Sequence, residues 1–155
     1  MRSNYDTLVH VPRSNHLIFP WWKRKILHPE LQDGGPLSFD VSEIEFHQLK
    51  EQKRRKFLSG QVIYDYHIRH HMLEADFGLR EFRAIEERGL RFFETHFFGK
   101  VLVGWKSVIM DPTAAYVPFQ CVRKSALILD WCHIENVHFH VKGFAARLPE
   151  KYFMA

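Results

Sequence analysis

The stretch LREFRAIEERGLRFFETHFFGKVLVGWKSVIM, residues 79–110, decides the predicted fold. Its apolar side chains recur every three or four residues, a spacing that keeps them on one side of an α-helix. Asp111-Pro112 closes the pattern, because proline cannot continue a helix. We therefore predict a central core helix from Leu79 to Met110. The apolar positions are Leu79, Phe82, Ile85, Leu90, Phe93, Phe97, Val101, Trp105 and Val108.

The last third of this stretch fits a second interpretation. Gly99 and Gly104 weaken a helix, since glycine costs about 1 kcal/mol relative to alanine at an interior position. Residues 100–105, KVLVGW, also alternate enough to form a strand. The helix is the prediction as far as Phe98, and a strand stays the alternative beyond it.

A second long helix is predicted before the first. Asp40-Val41-Ser42-Glu43 has the form of a capping box, in which Asp40 accepts from an orphan amide and Glu43 reaches back. The helix would run from there to about Glu74. Phe77-Gly78 would then allow a tight reversal, which makes the pair of helices an αα-hairpin.

The two flanks differ from this hairpin in composition. Residues 1–39 hold four of the seven prolines and form an extended, proline-rich arm. Residues 111–155 are β-branched and aromatic, with strands expected at 117–122, 125–134 and 137–142 and a two-residue turn at Glu135-Asn136. The predicted fold class is α+β, one domain in which residues 40–110 form the helical hairpin core and residues 111–155 a small antiparallel β element and tail.

Composition excludes several classes of protein. The chain has 155 residues, of which 46% are hydrophobic and 15% aromatic, so it is not a disordered tail. Two cysteines cannot form a disulfide framework, which favours a reducing compartment. No secretory signal and no run of 18 apolar residues is present, so we expect an intracellular protein without a membrane span. Association with a membrane surface stays open.

The arm and a basic run are the predicted partner-binding sites. The arm is apolar but too interrupted by proline to bury itself, so we expect it to lie across its own helices or a partner. The basic run, Lys50 to Lys56, lies on the polar part of the first helix, and the net charge of +4 fits an acidic partner. The predicted partner-binding residues are Trp21, Trp22, Lys23, Arg24, Lys53, Arg54 and Arg55.

Histidines near the C-terminus supply a candidate metal site, His133, His138 and His140. If Glu135-Asn136 forms a hairpin turn, His133 lies opposite His138 and Trp131 opposite His140, which places three imidazoles on one face. Three imidazoles can hold zinc with an open position for water, although a slip of one residue destroys the site. The favoured interpretation is a stacked or half-exposed aromatic face without metal, and the zinc site is the alternative.

A second histidine cluster has a simpler interpretation. His67, His70, His71 and Glu74 share one face of the predicted helix. Solvent or a partner is the expected neighbour of this polar face.

These observations favour a non-catalytic role. Nucleophile elbows, phosphate-binding loops and dinucleotide-binding glycine motifs are missing from the sequence. The leading hypothesis is an accessory or structural subunit, without a cofactor, that docks onto a larger intracellular protein or ribonucleoprotein assembly. The alternatives are a small zinc-dependent hydrolase or nuclease that uses the C-terminal histidines, and a nucleic-acid-binding module that uses Lys50–Lys56.

Overall fold

The computed structural model describes residues 7–11, 17–54, 58–135 and 143–154, and the backbone alone at 138–139. Its strands are β1 (Leu8–His10), β2 (Lys25–Ile26), β3 (Ser38–Asp40), β4 (Glu45–His47), β5 (Leu58–Ser59), β6 (Val101–Val103), β7 (Ile109–Met110), β8 (Ala115–Arg123), β9 (Ala126–His133), β10 (His138–Phe139) and β11 (Gly143–Arg147). Its α-helices are α1 (Lys50–Lys53), α2 (Gly60–Arg69), α3 (Leu79–Arg88) and α4 (Leu90–Phe97). Single 3₁₀ turns lie at Pro29–Leu31, Val41–Glu43, Trp105–Ser107 and Glu150–Phe153.

A mixed seven-stranded sheet is the centre of the molecule. Its strand order is β2-β7-β8-β6-β11-β4, with β9 paired to β8. β11 lies parallel to β6, whereas the other pairs are antiparallel. The pairs β1–β3 and β10–β5 form two separate ribbons. The predicted α+β fold built on a long αα-hairpin is therefore wrong, because the sheet dominates and no described helix exceeds ten residues.

Both faces of this sheet are covered at its central strands β6 and β11. Leu102 and Ala146 belong to one apolar core, together with α3 and α4. Their chain neighbours Val103 and Ala145 belong to a second core, which contains residues of α2. Because successive side chains of a strand point to opposite faces, the two cores lie on opposite sides of the sheet.

The predicted helix from residue 40 to residue 74 is wrong over most of its length. Asp40 does accept a hydrogen bond from the amide of Ser42, at 2.9 Å, but it caps a single 3₁₀ turn. The chain then enters β4, whose partner is β11, about a hundred residues later. Helical propensity is a weak preference, and these distant hydrogen bonds outweigh it. The long regular helix in this region is α2 alone.

The central stretch, residues 79–110, begins as two helices and continues as strands. Gly89, at φ = 90°, separates α3 from α4, a backbone conformation that favours glycine. Beyond Gly99 the strand alternative is the one observed, as β6. Gly104 follows it in close contact with α3, where a Cβ would lie 2.7 Å from the Phe82 ring.

The C-terminal strands follow the predicted pattern only in part. β8 and β9 coincide with two predicted strands and are joined at Lys124-Ser125, both with positive φ, as a two-residue hairpin requires. The predicted hairpin across Glu135-Asn136 is wrong, because β9 pairs with β8 and β10 pairs with β5. Asn136 itself lies outside the described residues.

The arm is partly built into the fold. Val9 is fully buried and belongs to the core beside α3 and α4, and β2 forms one end of the sheet. The expectation that this segment buries little of its own surface is therefore wrong for Val9.

Within the described ranges, no helix is long and apolar enough to cross a membrane.

Candidate functional site

Backbone hydrogen bonds hold the second half of the arm at the end of the sheet. The amide of Arg24 donates to the carbonyl of Met110 at 2.8 Å, and the amide of Leu27 donates to that of Val108 at 3.1 Å. These bonds flank the β2–β7 pair. The residues just before β2 are thereby fixed next to β8 and β9.

Aromatic contacts attach the same segment to the sheet. The Trp22 ring lies 4.7 Å from Tyr116 and 6.4 Å from Trp131, between ring centroids, and Phe19 lies 6.2 Å from Trp131. Offset and edge-on pairs at such distances contribute about 0.5–1.5 kcal/mol each beyond area burial. The Tyr116 ring also contacts the ring of His133, at 5.2 Å.

Other side chains of this segment project into solvent. Trp21 is 93% exposed and Ile18 is 76% exposed. Lys23 lies over the Phe19 ring, at 5.7 Å, while Arg24 is exposed. Neither cation forms an ion pair with a described carboxylate. We call this region the arm surface; it consists of Ile18, Phe19, Trp21, Trp22, Lys23 and Arg24.

The basic run does not join the arm surface. Lys53 and Arg54 are exposed at the end of α1, which follows β4, whereas the arm surface precedes β2 at the other end of the strand order. Just before these two cations, the buried side chain of Gln52 donates to the carbonyl of Gly143 at 3.2 Å. Arg55, the third predicted cation, lies outside the described residues.

The hairpin on which the candidate zinc site depended does not form, but whether these histidines bind a metal is not tested by the structure. His133 is half-buried, and its Nδ1 accepts from the amide of Glu135 at 3.1 Å. The side chains of His138 and His140 lie outside the described residues, and His138 pairs with Ser59 instead of His133. Among the residues that are described, no group of three or more potential metal ligands occurs.

A buried histidine network is the feature that the sequence did not reveal. His67 is fully buried, and its Nδ1 lies 2.5 Å from Oδ2 of Asp76. The other oxygen of Asp76 accepts from Nε of Arg147 at 2.9 Å. A carboxylate can only accept, so the proton lies on Nδ1 of His67. The buried Nε2 of His67 has no hydrogen-bond partner in the described structure.

The burial of this network fits a structural role. Rings of His47, at 5.4 Å, and Trp105, at 5.8 Å, enclose His67, so no substrate reaches its Nε2 in this conformation. The predicted polar face is therefore wrong at His67, while His70 and His71 are exposed. The helical spacing of the histidines contains no signal of this difference, because Asp76 and Arg147 come from outside the helix.

The two thiols are poor nucleophiles. Burial raises the pKa of Cys121, and burial followed by the Asp130 charge raises that of Cys132 to about 12. Both are unpaired cysteines and stay protonated near neutral pH, whereas the thiolate is the reactive form.

Comparison with known proteins gives no identification. No family model, no curated protein and no solved structure matches the chain.

Proposed function

We propose that this protein is a non-catalytic docking subunit, which binds an acidic surface of a larger protein assembly through the arm surface. The observation that carries the proposal is Trp21, which is 93% exposed between Phe19 and Trp22, two residues whose rings contact Trp131. Tryptophan and arginine are the residues most enriched at the energetic centres of interfaces. Trp21 and Arg24 are three positions apart on this segment.

Anchoring supports a binding role because it lowers the cost of association. Ordering a flexible, rotamer-rich side chain at an interface costs about 0.5–1.5 kcal/mol, and ordering a whole loop costs more. Here Trp22 and Phe19 already pack on the sheet, and β2 holds the backbone. A partner would meet Trp21 on a segment that is already ordered.

The charge of the arm surface favours an acidic partner. Lys23 and Arg24 have no described ion-pair partner, and the following Lys25 is exposed as well. A carboxylate-rich surface would complement these cations and accelerate encounter at low salt. The same chemistry predicts that the complex weakens as the salt concentration rises.

The test uses the full chain purified at its native expression level. We expect it to elute as part of a larger complex, and we expect Trp21→Ala and Arg24→Glu to release it while their circular dichroism stays native. Met154→Ala is the control, because Met154 is a large apolar residue with 71% exposure outside the arm surface. A photoreactive phenylalanine analogue should crosslink to a protein from position 21 and not from position 154.

Two outcomes would contradict the proposal. A complex that survives both arm substitutions would exclude the arm surface as the interface. If the complex dissociates on nuclease treatment and does not form in the double variant Lys53→Glu and Arg54→Glu, the partner is nucleic acid and not a protein.

A further inference from the structure

A pocket at the end of α4 is separate from the arm surface. It has a volume of about 370 Å³ and lies where α4 ends beside β6 and the second half of β8. Phe93, Phe98, Val101 and Val122 line it. Pockets that bind small molecules usually have volumes of about 300–1,000 Å³ and mainly apolar walls. This pocket is therefore large enough for a small ligand with an apolar body.

Two cations at this pocket have no acidic partner among the residues that the structure describes. Lys100 and Arg123 both line it, and neither forms an ion pair with a described carboxylate. They contact aromatic rings instead: the Lys100 ammonium lies 4.9 Å from the Phe46 ring and the Arg123 guanidinium 5.7 Å from the Phe119 ring. Ring contacts orient a cation but leave its charge uncompensated.

The charged side chains that line the pocket have a net charge of +1. Glu94 is the carboxylate that lines it, and it opposes Lys100 and Arg123. A ligand with a single negative charge would make the occupied pocket neutral. A dianion would leave an uncompensated negative charge beside Glu94, and a cation would be repelled.

We infer that this pocket binds an amphipathic monoanion, a carboxylate or sulfonate attached to an apolar chain or aromatic ring. The apolar body lies against Phe93, Phe98, Val101 and Val122, and the anionic group is held by Lys100 and Arg123. This inference does not depend on the docking role proposed above, since none of these residues belongs to the arm surface.

Binding is measured with defined probes. The fluorescence of 8-anilinonaphthalene-1-sulfonate reports occupancy, and decanoate and 2-naphthoate are the competitors, the first with an alkyl chain and the second with an aromatic ring. Decyltrimethylammonium has the same chain length as decanoate and the opposite charge. We expect at least one carboxylate to displace the fluorescent probe and the ammonium compound to leave it bound.

Methyl resonances locate the bound ligand. On addition of the better carboxylate, the methyl signals of Val101 and Val122 should shift, because both valines line the pocket. Val62 is the matched control, since it is 48% exposed on α2 and does not line this pocket. Shifts at Val62 as large as those at Val122 would indicate non-specific adsorption and overturn the inference.

Charge substitutions test the anionic contact. An exposed ion pair contributes up to about a fivefold change in affinity, so Arg123→Gln should weaken binding by up to about fivefold and Arg123→Glu by more. Lys100→Gln should act in the same direction. Arg91→Glu is the matched control, because Arg91 is exposed on α4 and does not line the pocket.

Three results would refute the inference. The first is binding of decyltrimethylammonium as tight as that of decanoate, and the second is unchanged affinity in Arg123→Glu. The third is equal weakening by Arg91→Glu, which would show a general charge effect. Val122→Trp provides an independent check: Val122 is partly exposed, so the larger ring fills the pocket and should abolish binding while circular dichroism stays native.

Discussion

Removing the carboxylate of Asp76 should cause a large loss of stability. The Asp76 side chain is fully buried between His67 and Arg147, whose side chains are 0% and 21% exposed. Removing one partner of a buried charged pair costs about 3–5 kcal/mol, because the other partner stays buried without compensation. Arg147 also lines an open cleft and donates to the carbonyl of Met72, which relieves part of this cost. We therefore expect Asp76→Ala to lose about 3 kcal/mol, a large share of the 5–15 kcal/mol typical of a domain.

Asp76→Asn removes the negative charge at residue 76 and keeps the shape of the side chain, so it tests the charge by itself. The amide oxygen can still accept from Arg147, but its NH₂ group would face Nδ1 of His67, which already carries a proton. His67 would have to move that proton to Nε2, which has no described acceptor. An unsatisfied buried donor costs about 1–3 kcal/mol, so Asp76→Asn should be less damaging than Asp76→Ala.

Urea unfolding followed by tryptophan fluorescence measures both losses, as a lower midpoint with an unchanged slope. Asp65→Ala is the control, because Asp65 is exposed on α2 and accepts a hydrogen bond from the side chain of Gln61. Its stability should stay within about 0.5 kcal/mol of that of the parent chain. An Asp76→Ala loss below about 1 kcal/mol would refute the conclusion that this network holds the fold together.

Two further substitutions test close packing and pH dependence. Gly104→Ala would place a methyl group 2.7 Å from the Phe82 ring and 3.1 Å from Cγ of Pro118, so we expect overpacking to destabilise the fold by about 1–3 kcal/mol. Thermal unfolding measures this loss as a lower melting temperature. An unchanged melting temperature would show that the Phe82 ring moves aside without cost. For His47, burial first, and the positive charge of Arg147 after it, lowers the pKa below the ordinary value of 6.5. The unfolded chain therefore takes up the proton first as pH falls below 6.5, so stability should decrease from pH 7.5 to pH 5.5. His47→Gln should flatten that decrease in urea titrations, and an unchanged pH slope would contradict the assignment.

Local pattern predicted the surface hairpin of the sheet well. β8 and β9 lie at the predicted strands because alternation and β-branched residues are properties of the segments themselves. The helical period over residues 79–97 likewise corresponds to α3 and α4, although the positive φ of Gly89 divides it.

Local pattern could not distinguish the central strands from a helix. β6 is covered on both faces, so its residues form a continuous apolar run, and such a run does not differ from a buried helix in periodicity. β4 is three residues long and obtains its partner from β11. No short stretch of sequence around β4 or β6 includes β11, with which both strands pair.

For the candidate sites, too, the sequence shows which residues are involved, and the tertiary structure decides which of them lie together. The cations and tryptophans of the arm could be selected from composition, because exposed charge and aromatic content are visible in the chain itself. Their separation from Lys53 and Arg54 could not, since strand order places the two groups at opposite ends of the sheet.

The sequence by itself determined the apolar content, the positive charge, the unpaired cysteines and those strands and helices whose signal is local. The tertiary structure alone decided that the molecule is built on a sheet and that His67 is buried in contact with Asp76. Both outcomes depend on hydrogen bonds between residues far apart in the chain, such as β4 with β11 and Asp76 with Arg147. Such bonds form only when non-local segments meet, so their free energy has no counterpart in the spacing of neighbouring residues.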